Sequence, residues 1–516
     1  MAVTASELAA ASFPHPIERV EVCETHISFV VLTGTFAYKV KKALRLDFID
    51  AGTVERRKRL CEEELRLNRR YARDLYLEVT PIVRTPHGLR FGGEGVAADY
   101  AVKMTQFDAR DELDALLAAG AASAQEVTGL AVLIADAHLS APGPPAGGQA
   151  TEAFLRIARA NLASVVRNAA LAQAESLALQ LQRWSETQLA LSSPRLHERQ
   201  QHGFVRECHG DLHVRNIVRW RGALTPFDCI EFDPALRFID VLNDLAFLVM
   251  DLMHRRRSDL AFTLLNRYLE RTGDYTGLDV LPCFMVYRAL VRAKVALIEC
   301  EQRADASGQA RAASRLRTAL AIAVRKPPIL IVMHGPSGSG KSWLSERLAP
   351  ALCAVRMRSD LERKRLAGFD PLTTRTAAFN DGIYSRAFTQ RTYARLLECA
   401  SASLRGRFNT ILDAAFLDAA ERRACAQLAA QEGARLVILA CRADRQTLTQ
   451  RVEQRRRTAA DPSDATVPVL ERQLRLMGSF EEDEAAHVLY VDTQDPDVVL
   501  HTLQRLQANS SAPAAP

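Results

Sequence analysis

Hydrophobic and polar positions change their period along this chain, and each change predicts a different kind of element. From Arg19 to Lys41 apolar residues alternate with polar ones or run together. That pattern predicts strands at Arg19–Thr25, Ile27–Leu32 and Thr35–Lys41, the last two joined by a turn at Thr33-Gly34. In the third strand the period of two puts Lys39 and Lys41 on one face, Tyr38 and Val40 on the other. Helical spacing follows from about Thr53 to Arg73, with Thr53 as N-cap and Glu55 in the first turn. Two more strand regions, Glu78–Val83 and Asp99–Phe107, flank a glycine-rich hairpin at His87–Gly95. Strands, one helix and more strands define a small sheet lobe over about 15–107.

From Asp111 to about Arg199 the spacing is helical, broken by a Pro/Gly surface loop at Ser140–Gly148. Helices are also predicted at Ala235–Leu252, with Asp240 and Asp244 one turn apart on it, and at Pro282–Val324. Arg325-Lys326-Pro327-Pro328 ends the last of these, because consecutive prolines cannot continue a helix. This divides the chain into domains 1–325 and 326–507. Beyond the break, Ile329–Met333 is an unbroken apolar run, typical of a parallel strand buried on both faces. Gly335–Ser342 follows, then a helix to Ala351. Further buried strands are predicted at Ala354–Met357, Asn409–Leu412, Arg435–Cys441 and His487–Val491. Alternating strand and helix predicts a doubly wound α/β domain. The tail Ala508–Pro516 is rich in Ala, Ser and Pro, a composition expected to be disordered.

Composition narrows the class. A chain of 516 residues exceeds one ordinary core, and 48% hydrophobic with 25% charged residues is the balance of a soluble globular protein. A net charge of +6 is small for this length and does not argue for nucleic acid. Ten cysteines carry no C-x-x-C pair and no metal-ligand spacing, which is expected of reduced, mostly buried thiols. No stretch of apolar residues is long enough to span a bilayer, and Met1–Pro14 lacks the basic and apolar regions of a signal peptide. A cytoplasmic protein with no membrane partner is expected.

Two stretches carry phosphate chemistry. In His209-Gly210-Asp211-Leu212-His213-Val214-Arg215-Asn216, an Asp and an Asn stand five apart, and Asp228 follows twelve residues after Asn216. Phosphoryl transfer needs a carboxylate for the acceptor hydroxyl and oxygen ligands that keep Mg²⁺ on the phosphates. Asp211 suits the first task; Asn216 and Asp228 suit the second. Helix and turn capping is the alternative for such residues, but it requires no fixed spacing.

The second stretch is Gly335-Pro336-Ser337-Gly338-Ser339-Gly340-Lys341-Ser342, a complete P-loop pattern placed after an apolar strand and opening a helix. Its glycines let backbone N–H groups and the helix N-terminus surround phosphate oxygens. Lys341 would reach the β- and γ-phosphates, and the Ser342 hydroxyl would hold Mg²⁺. Asp413 ends the strand Asn409–Leu412, the place for a carboxylate behind the Mg²⁺ shell; a strand-end turn is its other reading. Asp360 follows the second strand and would accept a proton from an attacking hydroxyl, or cap a helix. Arg451 and Arg455 lie one turn apart on one helix face, placed to close over a transferring phosphate; a solvated basic face is the alternative.

With both stretches in view, the chain resembles a bacterial fusion of an aminoglycoside phosphotransferase-like domain with a P-loop kinase-like, AAA-type ATP-binding domain. Ala37–Lys42, Glu64–Arg69, His209–Asn216, Phe227-Asp228 and the Asp240–Asp251 segment carry the first part. Arg358-Ser359-Asp360, Ile411–Phe416, the P-loop and the arginines from Arg451 onward carry the second, which is similar to gluconate, shikimate and polynucleotide 5′-hydroxyl kinases. The resemblance implies a bilobal protein-kinase-like fold followed by a three-layer α/β/α parallel sheet. It implies ATP and Mg²⁺ as cofactors and a kinase-like unit instead of a hexameric motor. It assigns Lys39 as the nucleotide-binding lysine, Glu63 or Glu64 as its helix partner, Asp211 as catalytic base, and Asn216 and Asp228 as metal ligands. The chain departs from the pattern at Thr25–Ser28, where a phosphate-covering loop has no glycine and offers two hydroxyls instead.

The function expected is an ATP- and Mg²⁺-dependent phosphotransferase with two nucleotide sites, acting on small hydroxyl-bearing substrates. Two alternatives stand beside it. One is a nucleic-acid 5′-hydroxyl kinase in the C-terminal domain, against which no basic patch is interleaved with aromatics. The other is a nucleotide-binding regulatory protein whose N-terminal half is a pseudokinase.

Overall fold

The computed structural model describes residues 3–17, 19–46, 49–303, 306–372, 383, 385–458 and 466–508, without the side chains at 46, 302, 303, 306 and 455–458. The tail expected to be disordered lies outside the described residues from 509 onward. The chain forms two compact units, each assembled from two stretches: Met1–Ala163 with Ser193–Asp251, and Ser164–Ser192 with Leu252–Pro516.

The first unit holds a six-stranded antiparallel sheet built from β1 (Glu21–Glu24), β2 (Ser28–Leu32), β3 (Phe36–Lys41), β4 (Tyr76–Thr85), β5 (Gly88–Phe91) and β6 (Ala97–Thr105). Their order is β1-β2-β3-β6-β4-β5. Helix α1 (Val54–Asn68) links β3 to β4, and the Thr53 hydroxyl caps it by accepting the Arg56 N–H at 3.3 Å. Each sheet face buries its own set. Val31, Tyr38, Val40, Ile82 and Phe91 pack with Leu8, whereas Ala37, Val102 and Met104 pack with Cys61 and Leu67 of α1. Alternation therefore turns Ala37, Lys39 and Lys41 toward α1, which places acidic helix residues against strand lysines.

Two readings of the pattern are corrected here. The glycine-rich hairpin contains a strand of its own, β5, because Leu89 and Phe91 alternate with exposed positions and are buried. The stretch Ala235–Leu252 is not one helix. Pro234–Arg237 is a short turn of helix, Phe238–Asp240 pairs antiparallel with Val205–Glu207, and α2 (Val241–His254) begins after it. Asp240 and Asp244 thus sit on different elements. The carboxylate of Asp240 accepts Arg199 Nε and Nη2 at 2.7 and 2.9 Å in a buried pair.

The second unit holds a five-stranded, all-parallel sheet of β7 (Ile329–His334), β8 (Ala354–Arg358), β9 (Asn409–Asp413), β10 (Arg435–Arg442) and β11 (Val488–Asp492). The order β8-β9-β7-β10-β11 places β7 in the centre. Helices α4 (Lys341–Ala351) and α10 (Val498–Ala508) cover one face through Leu344, Leu348, Val498 and Leu506. Helices α6 (Arg386–Arg405) and α7 (Ala419–Gln431) pack against β9 and β10. The region expected as one helix, Pro282–Val324, is two, Leu281–Arg303 and Ala306–Ala323, packed on each other.

The diproline ends a helix but not a compact unit. Helix α3 (Ser258–Thr272) lies along the edge strand β8, and its Asn266 amide satisfies that edge, donating to Ala354 O at 2.9 Å and accepting Arg356 N–H at 2.7 Å. Open parallel edges must be paired or covered, so the sheet takes its cover from before the diproline. Among the described residues no helix is long and apolar enough to cross a membrane.

Candidate functional sites

In the first unit, Lys39 Nζ donates to Glu64 Oε1 at 2.9 Å and also bonds Asp228 Oδ1. Glu64 is fully buried, where a carboxylate requires such a partner. Its second oxygen faces Lys41, an ion pair without hydrogen-bond geometry, and Lys41 bonds Glu231 in turn. The result is an alternating chain, Asp228–Lys39–Glu64–Lys41–Glu231. Burial works against the Lys39 ammonium, but Asp228 and Glu64 outweigh it and hold its pKa well above the ordinary lysine range. Burial likewise opposes the Asp228 charge, and Lys39 overcomes it, lowering the carboxyl pKa. Glu231 goes the other way: burial raises its pKa despite Lys41.

Of the two candidate helix acids, only Glu64 meets a strand lysine. Glu63 accepts instead from Arg66 and Arg237, both at 2.7 Å. Asp228 is held by its backbone, with φ of +65°, and its N–H donates to the Tyr76 hydroxyl at 3.0 Å. A non-glycine residue in the left-handed region is a strained placement that its surroundings must enforce. The neighbouring Cys229 N–H is taken by Asn68 Oδ1 at 3.0 Å.

The loop bearing Asp211 is suspended from α2. Asp244, fully buried, accepts the N–H groups of His209 and Gly210 at 3.0 and 2.9 Å, and Asp251 accepts that of Val214 at 3.3 Å. Gly210 has φ of +87°, and a Cβ there would stand 2.9 Å from Leu236 O, so only glycine fits. Asn216 Nδ2 donates to Asp211 O and Oδ2, both at 3.0 Å. These bonds fix the five-residue separation in space, leaving the Asp211 side chain 37% exposed at the surface of the site. Pattern reading missed Lys41, Glu231, Asn68 and Asp244. Lys41 had a signal, its place on the Lys39 face; Asn68 and Asp244 lie in segments that carry the resemblance, but their bonds to backbone N–H groups follow from no spacing.

In the second unit the P-loop bridges the C-terminal end of central β7 and the start of α4. Gly338 and Gly340 both have φ of +82°, and a Cβ would come within 2.6 Å of Leu448 O and 2.9 Å of Thr493 Cβ respectively. Lys341 Nζ donates to Pro336 O at 2.7 Å, folding over the loop. Ser342 Oγ donates to Asp413 Oδ1 at 3.0 Å, and Ser345 Oγ donates to Asp413 Oδ2 at 2.9 Å. A hydroxyl whose proton is committed to a carboxylate turns its lone pairs outward. Hydroxyl and carboxylate oxygens are the hard donors that suit Mg²⁺, so Ser342 and Asp413 fit such an ion. The N–H of Ser337 is met by Gln473 Oε1 of α9 (Val467–Leu476) at 2.7 Å, a contact that pattern reading did not suggest.

The remaining candidates divide. Asp360 is half-buried in the first turn of α5 (Ser359–Leu366), two residues beyond Arg358, which is in register with Asp413. It therefore lies at the carboxyl end of the sheet, as the P-loop does, where ligands of open α/β sheets bind. Arg451, on α8 (Arg445–Thr458), donates to Thr493 Oγ1 at 2.9 Å, Thr493 O at 3.0 Å and Gly338 O at 3.4 Å. It clamps the back of the loop to the end of β11. The side chain of Arg455 lies outside the described residues.

Residues 330–479 match the AAA_33 family, described as an AAA domain. Over 465 residues the chain is 29% identical to uncharacterized proteins of Mycobacterium bovis and Mycobacterium tuberculosis, covering 88% of this chain and 90% of each relative. It is similar to a gluconokinase from Sinorhizobium meliloti 1021, with 20% identity, 37% of this chain and 100% of that chain covered, and a TM-score of 0.25. It is also similar to choline kinase from Cryptosporidium parvum Iowa II, with 12% identity, 59% and 88% covered, and a TM-score of 0.37.

Proposed function

We propose that the chain is an ATP- and Mg²⁺-dependent phosphotransferase with two nucleotide sites, acting on small hydroxyl-bearing molecules. The observation that carries this reading is the first site. Lys39 bonds both Glu64 and Asp228 in the unit where Asn216 is bonded to Asp211, and these groups support the reading of a phosphoryl-transfer centre. There Lys39 would bind nucleotide phosphate while Glu64 keeps it charged and aimed. Asn216 and Asp228 would hold Mg²⁺, which when bound neutralises the charge on the phosphates. Asp211 accepts the proton of the acceptor hydroxyl as its oxygen attacks the γ-phosphorus and the bond to ADP breaks.

At the second site, P-loop N–H groups and Lys341 would hold ATP, Ser342 and Asp413 the metal, and Asp360 the acceptor proton. Arg451 positions the loop from behind. The nucleic-acid kinase alternative loses support, because Arg451 is spent on Thr493 and Gly338.

One observation favours a second reading for the first unit, a nucleotide binder without turnover. The Thr25 hydroxyl donates to Ser28 O at 2.9 Å and accepts Ser28 N–H at 3.0 Å, closing the turn on itself. ATP turnover of Asp211→Ala, Lys341→Ala and the double variant tests both readings. Each single variant is expected to lose part of the turnover and the double all of it. Turnover unchanged in all three overturns the phosphotransferase. Turnover abolished by Lys341→Ala alone, and untouched by Asp211→Ala, favours the silent first site.

A further inference from the structure

Helix α3 reaches the P-loop site through a line of buried polar groups. Glu270, one turn beyond Asn266, is 5% exposed, and its Oε1 accepts Arg356 Nη2 at 2.9 Å. Arg356, also 5% exposed, points from β8 beneath α4. Its Nη1 donates to Ser342 O at 3.3 Å and lies 3.5 Å from Ser345 Oγ. Ser345 is fully buried, and its hydroxyl donates to Asp413 Oδ2 at 2.9 Å with Ser342 O close by at 3.1 Å. Donors and acceptors run in one direction, from guanidinium to hydroxyl to carboxylate. Burial opposes the Glu270 charge, but Arg356 and then Arg358 outweigh it and hold the carboxyl ionised.

We propose that Glu270 is a positioning residue of the P-loop site: by holding Arg356 it sets Ser345, Ser342 and Asp413 for a divalent cation. The inference rests on the reading that Ser342 and Asp413 bind Mg²⁺. Its physical basis is competition for one carboxylate. A buried guanidinium must find an anion. With Glu270 present, Arg356 is neutralised and touches the site only through hydroxyl and carbonyl groups. Without it, the carboxylate next along the line is Asp413, and the guanidinium charge falls on the oxygens the metal requires. Other groups hold Glu270 in place. Arg365 Nη2 donates to its backbone carbonyl at 2.7 Å, and Arg267 Nη1 approaches its Oε2 at 3.4 Å.

The test uses the full chain in an Asp211→Ala background, so that turnover reports the P-loop site. Two readouts are used: the Mg²⁺ concentration giving half-maximal ATP turnover at saturating ATP, and the Mg²⁺ concentration giving half of the rise in melting temperature that Mg²⁺ produces with ADP present, while the melt without ligand confirms that each variant folds. Glu270→Gln, which keeps the shape and loses the charge, is expected to raise that concentration about tenfold or more. Glu270→Gln with Arg356→Met removes both charges and is expected to return it toward the parent value. A merely structural role predicts that the double variant is worse than the single. Asp413→Asn separates two failures. If Asp413→Asn does not shift the Mg²⁺ requirement, the metal reading falls. If it does and Glu270→Gln does not, the positioning role falls alone.

Discussion

Asn266 accepts the backbone N–H of Arg356 at 2.7 Å, so a single helix side chain stands where a neighbouring strand would pair. Its Nδ2 also takes the carbonyl of Ala354, and both groups belong to the edge of the sheet that carries Asp413 through β9. Leucine at this position would fill the volume and leave a donor and an acceptor unpaired. Asn266→Leu is therefore expected to cost about 2–6 kcal/mol, at roughly 1–3 kcal/mol for each of the two stranded buried groups. Urea unfolding of the full chain measures it, and a loss under about 0.5 kcal/mol, a surface-like effect, contradicts the edge-capping role.

How much of this was legible in the sequence depends on distance along the chain. The P-loop pattern and the apolar runs of β7–β11 are local, and each names its element directly. The choice between Glu63 and Glu64 was not legible. They are adjacent on α1, and what separates them is Arg237, which claims Glu63. The cover that β8 takes from α3 was not legible for the same reason. A diproline is a strong local stop, whereas the bond from Asn266 to β8 joins residues 90 apart and leaves no pattern. Asp240 looked helical because four-residue spacing to Asp244 fits a helix, although a three-residue strand intervenes.

Lys41 carries the charge balance of the first site on its inner side. It is fully buried between Glu64 and Glu231, and removing it leaves two buried carboxylates facing each other. Lys41→Met is expected to destabilise the chain by about 3–5 kcal/mol, the cost of breaking a buried pair from one side. Adding Glu231→Gln relieves one of the two charges and is expected to recover most of that loss. Urea unfolding of single and double variants checks both, and a strictly additive double variant contradicts the alternating chain.

Gly338 is the P-loop position where a side chain has least room. Its φ of +82° strains any other residue, and a Cβ would meet Leu448 O at 2.6 Å. Gly338→Ala must shift the loop or α8, at a cost of about 1–3 kcal/mol, equivalent to roughly 5- to 150-fold in nucleotide affinity. Measured as the KM for ATP in an Asp211→Ala background, the value is expected to rise within that range. An unchanged KM means that the loop conformation does not hold nucleotide.

Two groups beside the P-loop strands give stability opposite slopes with pH. His334, just before Gly335, is 5% exposed; burial lowers its pKa to about 4, although its Nδ1 bonds Phe416 O at 3.0 Å. The unfolded chain takes up this proton first, so the His334 contribution is complete above the ordinary value of 6.5 and is lost as pH falls toward 4. Glu421, at the start of α7, is the reverse. Burial and then the nearby Asp418 charge raise its pKa to about 7. The folded chain keeps this proton longer, so the contribution is complete below 4.5 and is lost as pH rises through 7. His334→Phe is expected to flatten the acidic limb of a plot of unfolding free energy against pH, and Glu421→Gln to flatten the limb approaching neutrality. If each variant instead shifts the whole curve by a constant, packing at these positions matters and their titration does not.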